Sequence, residues 1–171
     1  CEIETREGIH IIIYLPDLGS VAKLQQYLIT RVSNLNLSTP PVRCSTLDLI
    51  NLNVLLGGIL CPAHVFTPHK GIYGCWTRRW ADVLGKQAQF LKVLELGLSA
   101  DTDMADLIAE TRGVTFLSNS DAHSSGTIGR EFNLLRMSGK NFEELRLALH
   151  QASGRKVAAN YGLDPLLGKY H

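Results

Sequence analysis

Three stretches of this 171-residue chain end apolar runs in groups that bind metals or move protons: ILCPAHVFTPHKG, KVLELGLSADTD and VTFLSNSDAHSSG. In the last, Asp121 and His123 stand two residues apart where a strand-like run stops. On an extended backbone both side chains point to one face, because strand side chains repeat with period two. A carboxylate oxygen and an imidazole nitrogen together suit Zn, Mn or Fe, and a cluster of them holds adjacent ions that activate water for phosphoester hydrolysis. Each piece also has a plainer reading. A lone D-x-H serves equally as an N-cap and a surface histidine. His64, after Pro62, suits a hydrogen-bonded core histidine, Glu95 suits an ion pair with Arg or Lys, and Asp101, Asp103 and Asp106 suit a helix N-terminus. No G-x-S-x-G or Walker A sequence points to serine or P-loop chemistry.

The elements that must hold these groups alternate between strand and helix. GIHIIIYL (8–15) reads as a buried strand. In the following DLGSVAKLQQYLITRVS, Val21, Leu24, Leu28, Ile29 and Val32 recur at helical spacing, with Ser20 as the expected N-cap. Residues 33–46, with Pro40 and Pro41, read as a loop, and LDLINLNVLLGG as a helix stopped by glycines. Strands are expected in ILCPAHVF (59–66), KVLELGLS (92–99) and VTFLSNSDAH, and a helix in DTDMADLIAETRG ending at Gly113. NFEELRLALHQASG carries an Asn141 cap with Glu144 three residues on, and Phe142, Leu145 and Leu149 on one face. This alternation favours a mainly parallel α/β sheet or barrel with functional groups at the strands' C-terminal ends.

Composition sets the bounds. With 45% hydrophobic residues in 171, one domain with a substantial core is expected. Seventeen Lys+Arg against 16 Asp+Glu give a net charge of +1, so any nucleic-acid or membrane partner must be held by a local patch. The four cysteines, Cys1, Cys44, Cys61 and Cys75, form no C-x-x-C pair and read as mostly buried structural thiols. No apolar run approaches the length of about 20 residues that spans a bilayer, and a cytoplasmic protein without a membrane partner is expected.

CPAHVFTPHKGIYG, ELGLSADTDMAD, LSNSDAHSSGTIGREFN and NYGLDPLLGKYH together resemble the PHP (polymerase and histidinol phosphatase) superfamily, and within it the branch containing endonuclease Q, a DNA-repair nuclease. The resemblance runs through most of residues 59–171. It implies a distorted (β/α)7 barrel with two or three divalent ions (Zn, Mn, Fe or Mg) at the strands' C-terminal ends. By position, Asp121 and His123 match the family's final D-x-H ligands, and His64 the histidine of its AH motif. Cys1-Glu2-Ile3-Glu4 is similar to the tail of its G-x-E-I motif, which makes Glu2 a bridging carboxylate. His10 resembles a histidine that follows that Glu, at a shorter separation than the family shows; a strand histidine facing helices is the alternative. The family's opening H-x-H motif and the cysteine-rich zinc-binding segment of its endonuclease branch have no counterpart in residues 1–171. The chain is therefore expected to be the later part of a PHP domain, a single PHP-like unit over 1–171 with an incomplete site when isolated.

The implied activity is that of a metal-dependent phosphoesterase in which Glu2, His64, Asp121 and His123 act through activated water. An endonuclease cleaving DNA beside deaminated or damaged bases is the expectation; a phosphatase of small phosphomonoesters and a noncatalytic PHP scaffold are the alternatives. In HKGIYGCWTRRW (69–80), Lys70, Arg78 and Arg79 interleave with Tyr73, Trp76 and Trp80, so cations could meet phosphates while a ring stacks on an unpaired base. Equally, Trp76 and Trp80, four apart, could pack one helix onto the core with the arginines in solvent. Thr67, Lys70, Tyr73, Asn119 and Arg130 are the candidate substrate contacts, with Arg130 also placed to pair with Glu131, and Ser118 and Asn119 to orient the loop of Asp121.

Overall fold

The computed structural model of the protein describes residues 1–32, 34, 36, 37 and 40–168. Lys169, Tyr170 and His171, the end of the NYGLDPLLGKYH motif, and part of the 33–46 loop lie outside the described residues.

Strand β1 (Glu2–Glu4) turns back into β2 (His10–Tyr14) through a tight loop in which the Thr5 N–H donates to Ile9 O and the Gly8 N–H to Thr5 O. Helices α1 (Leu18–Ile29) and α2 (Thr46–Leu56) follow, then β3 (Ile59–Pro62) on the other edge of β2. After a π-helical turn at Ile72–Trp76 and the short α3 (Trp80–Leu84) come β4 (Val93–Glu95), α4 (Thr102–Asp106) and β5 (Thr115–Leu117). Strand β6 (Phe132–Arg136), α5 (Phe142–Leu149) and β7 (Lys156–Tyr161) complete the chain's regular elements.

The α/β class is as expected, but the pairing is not mainly parallel. Only β4 and β5 run parallel; β1–β2–β3 and β6–β7 are antiparallel, and the described strands form three small sheets with no closed barrel among them. The β1–β2 link is too short for a crossover, which takes a dozen or more residues. Two helices between β2 and β3 reverse the chain twice, so β3 also arrives antiparallel.

Strand alternation divides the interior in two. Ile9, Ile11 and Ile13 point with Leu60, Leu94 and Phe116 into a large core that also takes Leu24, Leu49 and Ile50 from α1 and α2. Ile12 and Tyr14 point the other way, to a smaller core of Ile59, Cys61, Val93, Leu117 and Leu149, covered by Phe142 and Leu145 of α5. Each fully buried Ile or Leu contributes about 1.5–3 kcal/mol of transfer free energy, so both sheet faces are held firmly. Glu2, Glu4, His10 and Glu95 share the second face, where the period of two aims them away from the large core.

Helix caps refine the sequence reading. Asp17, not Ser20, caps α1: its carboxylate accepts from the Ser20 N–H at 2.8 Å, and Ser20 is buried within the first turn. The stripe on α1 is only partly covered, since Leu24 is buried while Val21 and Ile29 stay exposed. Ser45 and Asp48 form a reciprocal capping box on α2, and Gly57 ends it at φ +64°, a left-handed angle that favours glycine. Asn141 caps α5 as expected, but Glu144 turns instead to Arg155 and the Ser138 N–H. Trp76 and Trp80 do not share a helix: Trp80 opens α3 and is buried in the large core, Trp76 ends the π-helical turn and packs on that core, and Arg78 and Arg79 face solvent.

The thiols split evenly. Cys44 and Cys61 are buried, with burial pushing the Cys44 thiol up to about 11 and the Cys61 thiol well above its ordinary value, whereas Cys1 and Cys75 are exposed. No helix among the described residues is long and apolar enough to cross a membrane. Native-state alkylation followed by mass spectrometry is expected to modify Cys1 and Cys75 rapidly and Cys44 and Cys61 only after denaturation. Equal rates at all four would contradict this packing.

Candidate metal centre

The β1–β2 register sets Glu4 directly opposite His10, with Glu2 diagonal to it on the same face. β2 in turn pairs with β3, and the Ala63 N–H donates to His10 O, so the residue after Ala63, His64, arrives beside the His10 ring. Glu2 Oε1 lies 2.7 Å from His10 Nδ1, His10 Nδ1 lies 3.3 Å from His64 Nε2, and Glu2 Oε1 lies 3.7 Å from His64 Nε2. Donors held about 2.0–2.2 Å from one ion at a tetrahedral angle stand about 3.3 Å apart, so these three atoms fit one divalent ion. One carboxylate with two imidazoles suits Zn, Mn or Fe better than Mg, which favours oxygen ligands. The short separation between Glu2 and His10 is thus the length of one tight hairpin.

The ring of His64 is oriented by Thr67. The Thr67 hydroxyl has one proton and two backbone carbonyls, of His64 and His69, each at 2.8 Å to receive it. Toward His64 Nδ1, 3.0 Å away, Thr67 therefore accepts, which puts a ring proton on Nδ1 and turns Nε2 toward Glu2 and His10. Thr67, expected as a substrate contact, lines the cavity beside His64 as well as bonding its ring. Backbone geometry adds to the constraint. His64 itself has φ +32°, and Gly97, at φ +76°, packs so closely that a Cβ there would lie 2.8 Å from His64 Cβ. Any side chain at Gly97 displaces the histidine.

Charge is concentrated here. Hydrogen bonds to His10 and then His64 hold the Glu2 carboxyl well below the usual carboxylate range, with burial opposing them. Burial works to lower His64, but Glu2, Glu95 and Asp121 outweigh it and leave the imidazole raised. Glu95 is buried and raised, chiefly by that burial; its carboxylate accepts from the His64 N–H at 2.9 Å and hydrogen-bonds Asn119. Among the described residues it forms no ion pair with Arg or Lys. Glu95 is the acid that sequence reasoning set aside, and its signal was a charged residue inside VLEL, a run otherwise buried.

Asp121 and His123 stand further out. Asp121 has φ +43°, so the backbone is not extended there as the D-x-H spacing suggested, yet Asp121 Oδ1 lies 3.9 Å from His123 Nδ1. His123 Nδ1 sits 2.8 Å from the Asp121 carbonyl oxygen, and the His123 side chain is 86% exposed. Both line a cavity of about 660 Å³ with His64, Thr67, Gly97 and Arg130. They share that cavity with His64, the one member of the triad that lines it, without joining the triad.

The remaining candidates divide between rim and framework. Lys70 pairs with Glu4, whose other oxygen lies 3.7 Å from His10 Nε2, so Lys70 supports the triad from behind. Tyr73 stacks on Phe66, meets Trp80 and donates its hydroxyl to Glu110 at 3.0 Å, which gives its ring to packing rather than to a base. Asn119 accepts from Asn133, which also ties the Ser118 N–H and O to β6; sequence reasoning missed Asn133. Arg130 forms the expected pair with buried Glu131 while lining the cavity.

Comparison with known proteins gives a consistent picture. A family model described as PHP-associated matches residues 101–153. The chain is 41% identical over 163 residues to the uncharacterized protein YqxK of Bacillus subtilis, covering 95% of this chain and 42% of that protein. It is 47% identical over 113 residues to the uncharacterized protein MJ0043 of Methanocaldococcus jannaschii, covering 62% and 14%. The fold matches the crystal structure of the lesion-specific endonuclease PfuEndoQ from Pyrococcus furiosus with a TM-score of 0.91 and 36% identity, over 100% of this chain and 43% of that one. A structure of endonuclease Q with a 27-mer duplex carrying an abasic lesion at its active site matches equally, at 0.91 and 35%, with the same coverage. The chain thus spans about two fifths of the length of YqxK and of these endonuclease chains.

Two outcomes are expected at the triad. Replacing Thr67 by Val is expected to weaken Zn or Mn binding by about 10–100-fold in a chelator competition, with Thr67→Ser near the unsubstituted value; equal affinities would contradict the positioning role. Because the folded His64 pKa is raised, protons compete with metal to a higher pH than at an ordinary histidine of about 6.5. Affinity is therefore expected to be still rising at pH about 7, and a flat profile between about pH 5 and 8 would contradict it.

Proposed function

We propose that this chain, a PHP-superfamily sequence of the endonuclease Q-like branch, carries part of the active site of a metal-dependent phosphoesterase, and that its substrate is DNA with a damaged or deaminated base. The observation that carries the reading is the Glu2–His10–His64 triad, joined through His64 to a cavity that Asp121 and His123 also line, in a fold that matches 43% of a lesion-specific endonuclease chain over all of this one. Glu2, His10 and His64 would hold a divalent ion, and Asp121 and His123 further ions, two or three in all. When bound, such ions supply Lewis-acid charge and lower the pKa of a water to near neutrality. The chain's own residues fix where that happens. Thr67 and Glu95 hold His64 from two sides, Glu4 backs His10, and Asp121 adds negative charge across the cavity. Arg130 stands at the rim, where a guanidinium meets a phosphodiester oxygen. Water, activated by such ions, is the attacking group this arrangement suits.

The full PHP barrel, its (β/α)7 order and any zinc-binding segment belong to the proposal for the parent protein, of which residues 1–171 would be the later part of one domain. A cavity of about 660 Å³ also falls in the range of small-molecule sites, about 300–1,000 Å³, which favours phosphomonoester hydrolysis as the second reading.

The test is cleavage of an end-labelled duplex with one uracil, hypoxanthine or abasic site, in Mn, Mg or Zn, by the parent protein and its Asp121→Ala form. Nicking beside the lesion, reduced at least 100-fold in Asp121→Ala and absent from undamaged duplex, is the expected result. Asp121-dependent phosphate release from small monoesters without nicking would move the function to the second reading.

A further inference from the structure

Ribbon β6–β7 has one face in the protein and one in solvent. Asn133, Leu135, Val157 and Asn160 face inward: the two asparagines bond β5, and Leu135 and Val157 pack on the smaller core. The outer face presents Phe132 opposite Tyr161, Leu134 opposite Ala159 and Arg136 opposite Lys156. Phe132 and Tyr161 are 45% and 48% exposed, and their rings stack 4.6 Å apart at 12°. An exposed pair of stacked rings followed by an exposed Leu134 is an unusual use of a solvent face.

The charges give the face a direction. Arg136 and Lys156 are direct cross-strand neighbours of like sign, an arrangement that costs stability unless an anion sits between them. Neither has an acidic partner among the described residues. The outward positions of the ribbon carry no carboxylate, because Glu131, just before β6, is turned inside. At the ring end the ribbon meets the metal-centre cavity, where Arg130, two residues before Phe132, and Leu163, two after Tyr161, form part of the wall. From Phe132 to Arg136 a strand runs about 13 Å, the length of about four nucleotides stacked at 3.4 Å.

We infer that this face is a stacking platform for an unpaired stretch of DNA strand beside the cleaved bond: bases lie on Phe132 and Tyr161, the backbone phosphates meet Arg136 and Lys156, and Arg130 receives the strand at the cavity. The inference rests on the proposal that the substrate is nucleic acid. Ring stacking holds any base, so the platform grips a strand opened at a lesion without reading its sequence.

The experiment measures binding of a fluorescein-labelled, lesion-free single-stranded oligothymidylate by anisotropy, across a salt series. It uses the unsubstituted protein, a Phe132→Ala/Tyr161→Ala variant and an Arg136→Gln/Lys156→Gln variant, each checked for unchanged circular dichroism. The aromatic variant is expected to bind at least about tenfold more weakly. Removing the two cations, which leaves the ribbon's apolar contacts intact, is expected to reduce the log–log salt slope by about 1.4. Binding within twofold of the unsubstituted protein in both variants, or no binding by the unsubstituted protein, overturns the platform. Lesion nicking separates this from the parent reading: Asp121-dependent nicking with variant-insensitive binding sinks the platform alone, and variant-sensitive binding without nicking sustains the platform while the nuclease reading fails.

Discussion

The antiparallel register that sets Ile3 opposite Ile11 and Glu4 opposite His10 decides which side chains meet at the Glu2–His10–His64 triad. A slip of one residue would send Ile3 and Ile11 to the polar face and pull Glu2, Glu4 and His10 into the large core. Burial of Ile9, Ile11 and Ile13 forbids that slip, since exposing three such side chains would cost about 1.5–3 kcal/mol each. The apolar positions of β2 thus hold the polar ones in place. Neither imidazole needs a flexible loop to find its partner.

A second layer of constraint acts on the loop after β3. His64 and Lys70 both have positive φ, a conformation that non-glycine residues adopt at some cost and that clusters at functional sites. Hydrogen bonds from the His64 N–H to Glu95 and between Thr67 and the His64 ring hold the strained turn, while Gly71, Gly74 and Gly97 press on it where no Cβ would fit. The result is a carboxylate oxygen and two imidazole nitrogens held within 3.7 Å of one another. Such preorganisation limits what a bound ion must reorder.

Much of this could be read from residue types. The apolar runs located β2, β3, β4 and β5 but not β1, β6 or β7, the stop at Gly57 and the Asn141 cap were correct, and Glu2, His64 and His10 do meet. What the sequence concealed was direction. Strand pairing depends on how many helices intervene and how long a turn is, so alternation alone suggested a parallel sheet where the first three strands are antiparallel. Backbone reversal at Asp121 was equally hidden, because a D-x-H looks the same whether extended or left-handed. Tyr73 and Lys70 looked available in a basic, aromatic stretch, but partly buried partners far along the chain, Glu110 and Glu4, pair with them. The exposed Phe132–Tyr161 pair escaped notice because its members stand far apart in sequence and meet only through the ribbon.

The central claim is that Glu2, His10 and His64 converge on one ion, and anomalous diffraction from crystals of this protein grown with Mn or Zn tests it most directly. A difference peak within about 2.0–2.2 Å of Glu2 Oε1, His10 Nδ1 and His64 Nε2 together is the predicted result. Ions found only elsewhere on the surface, with the triad holding none at saturating metal, would contradict it.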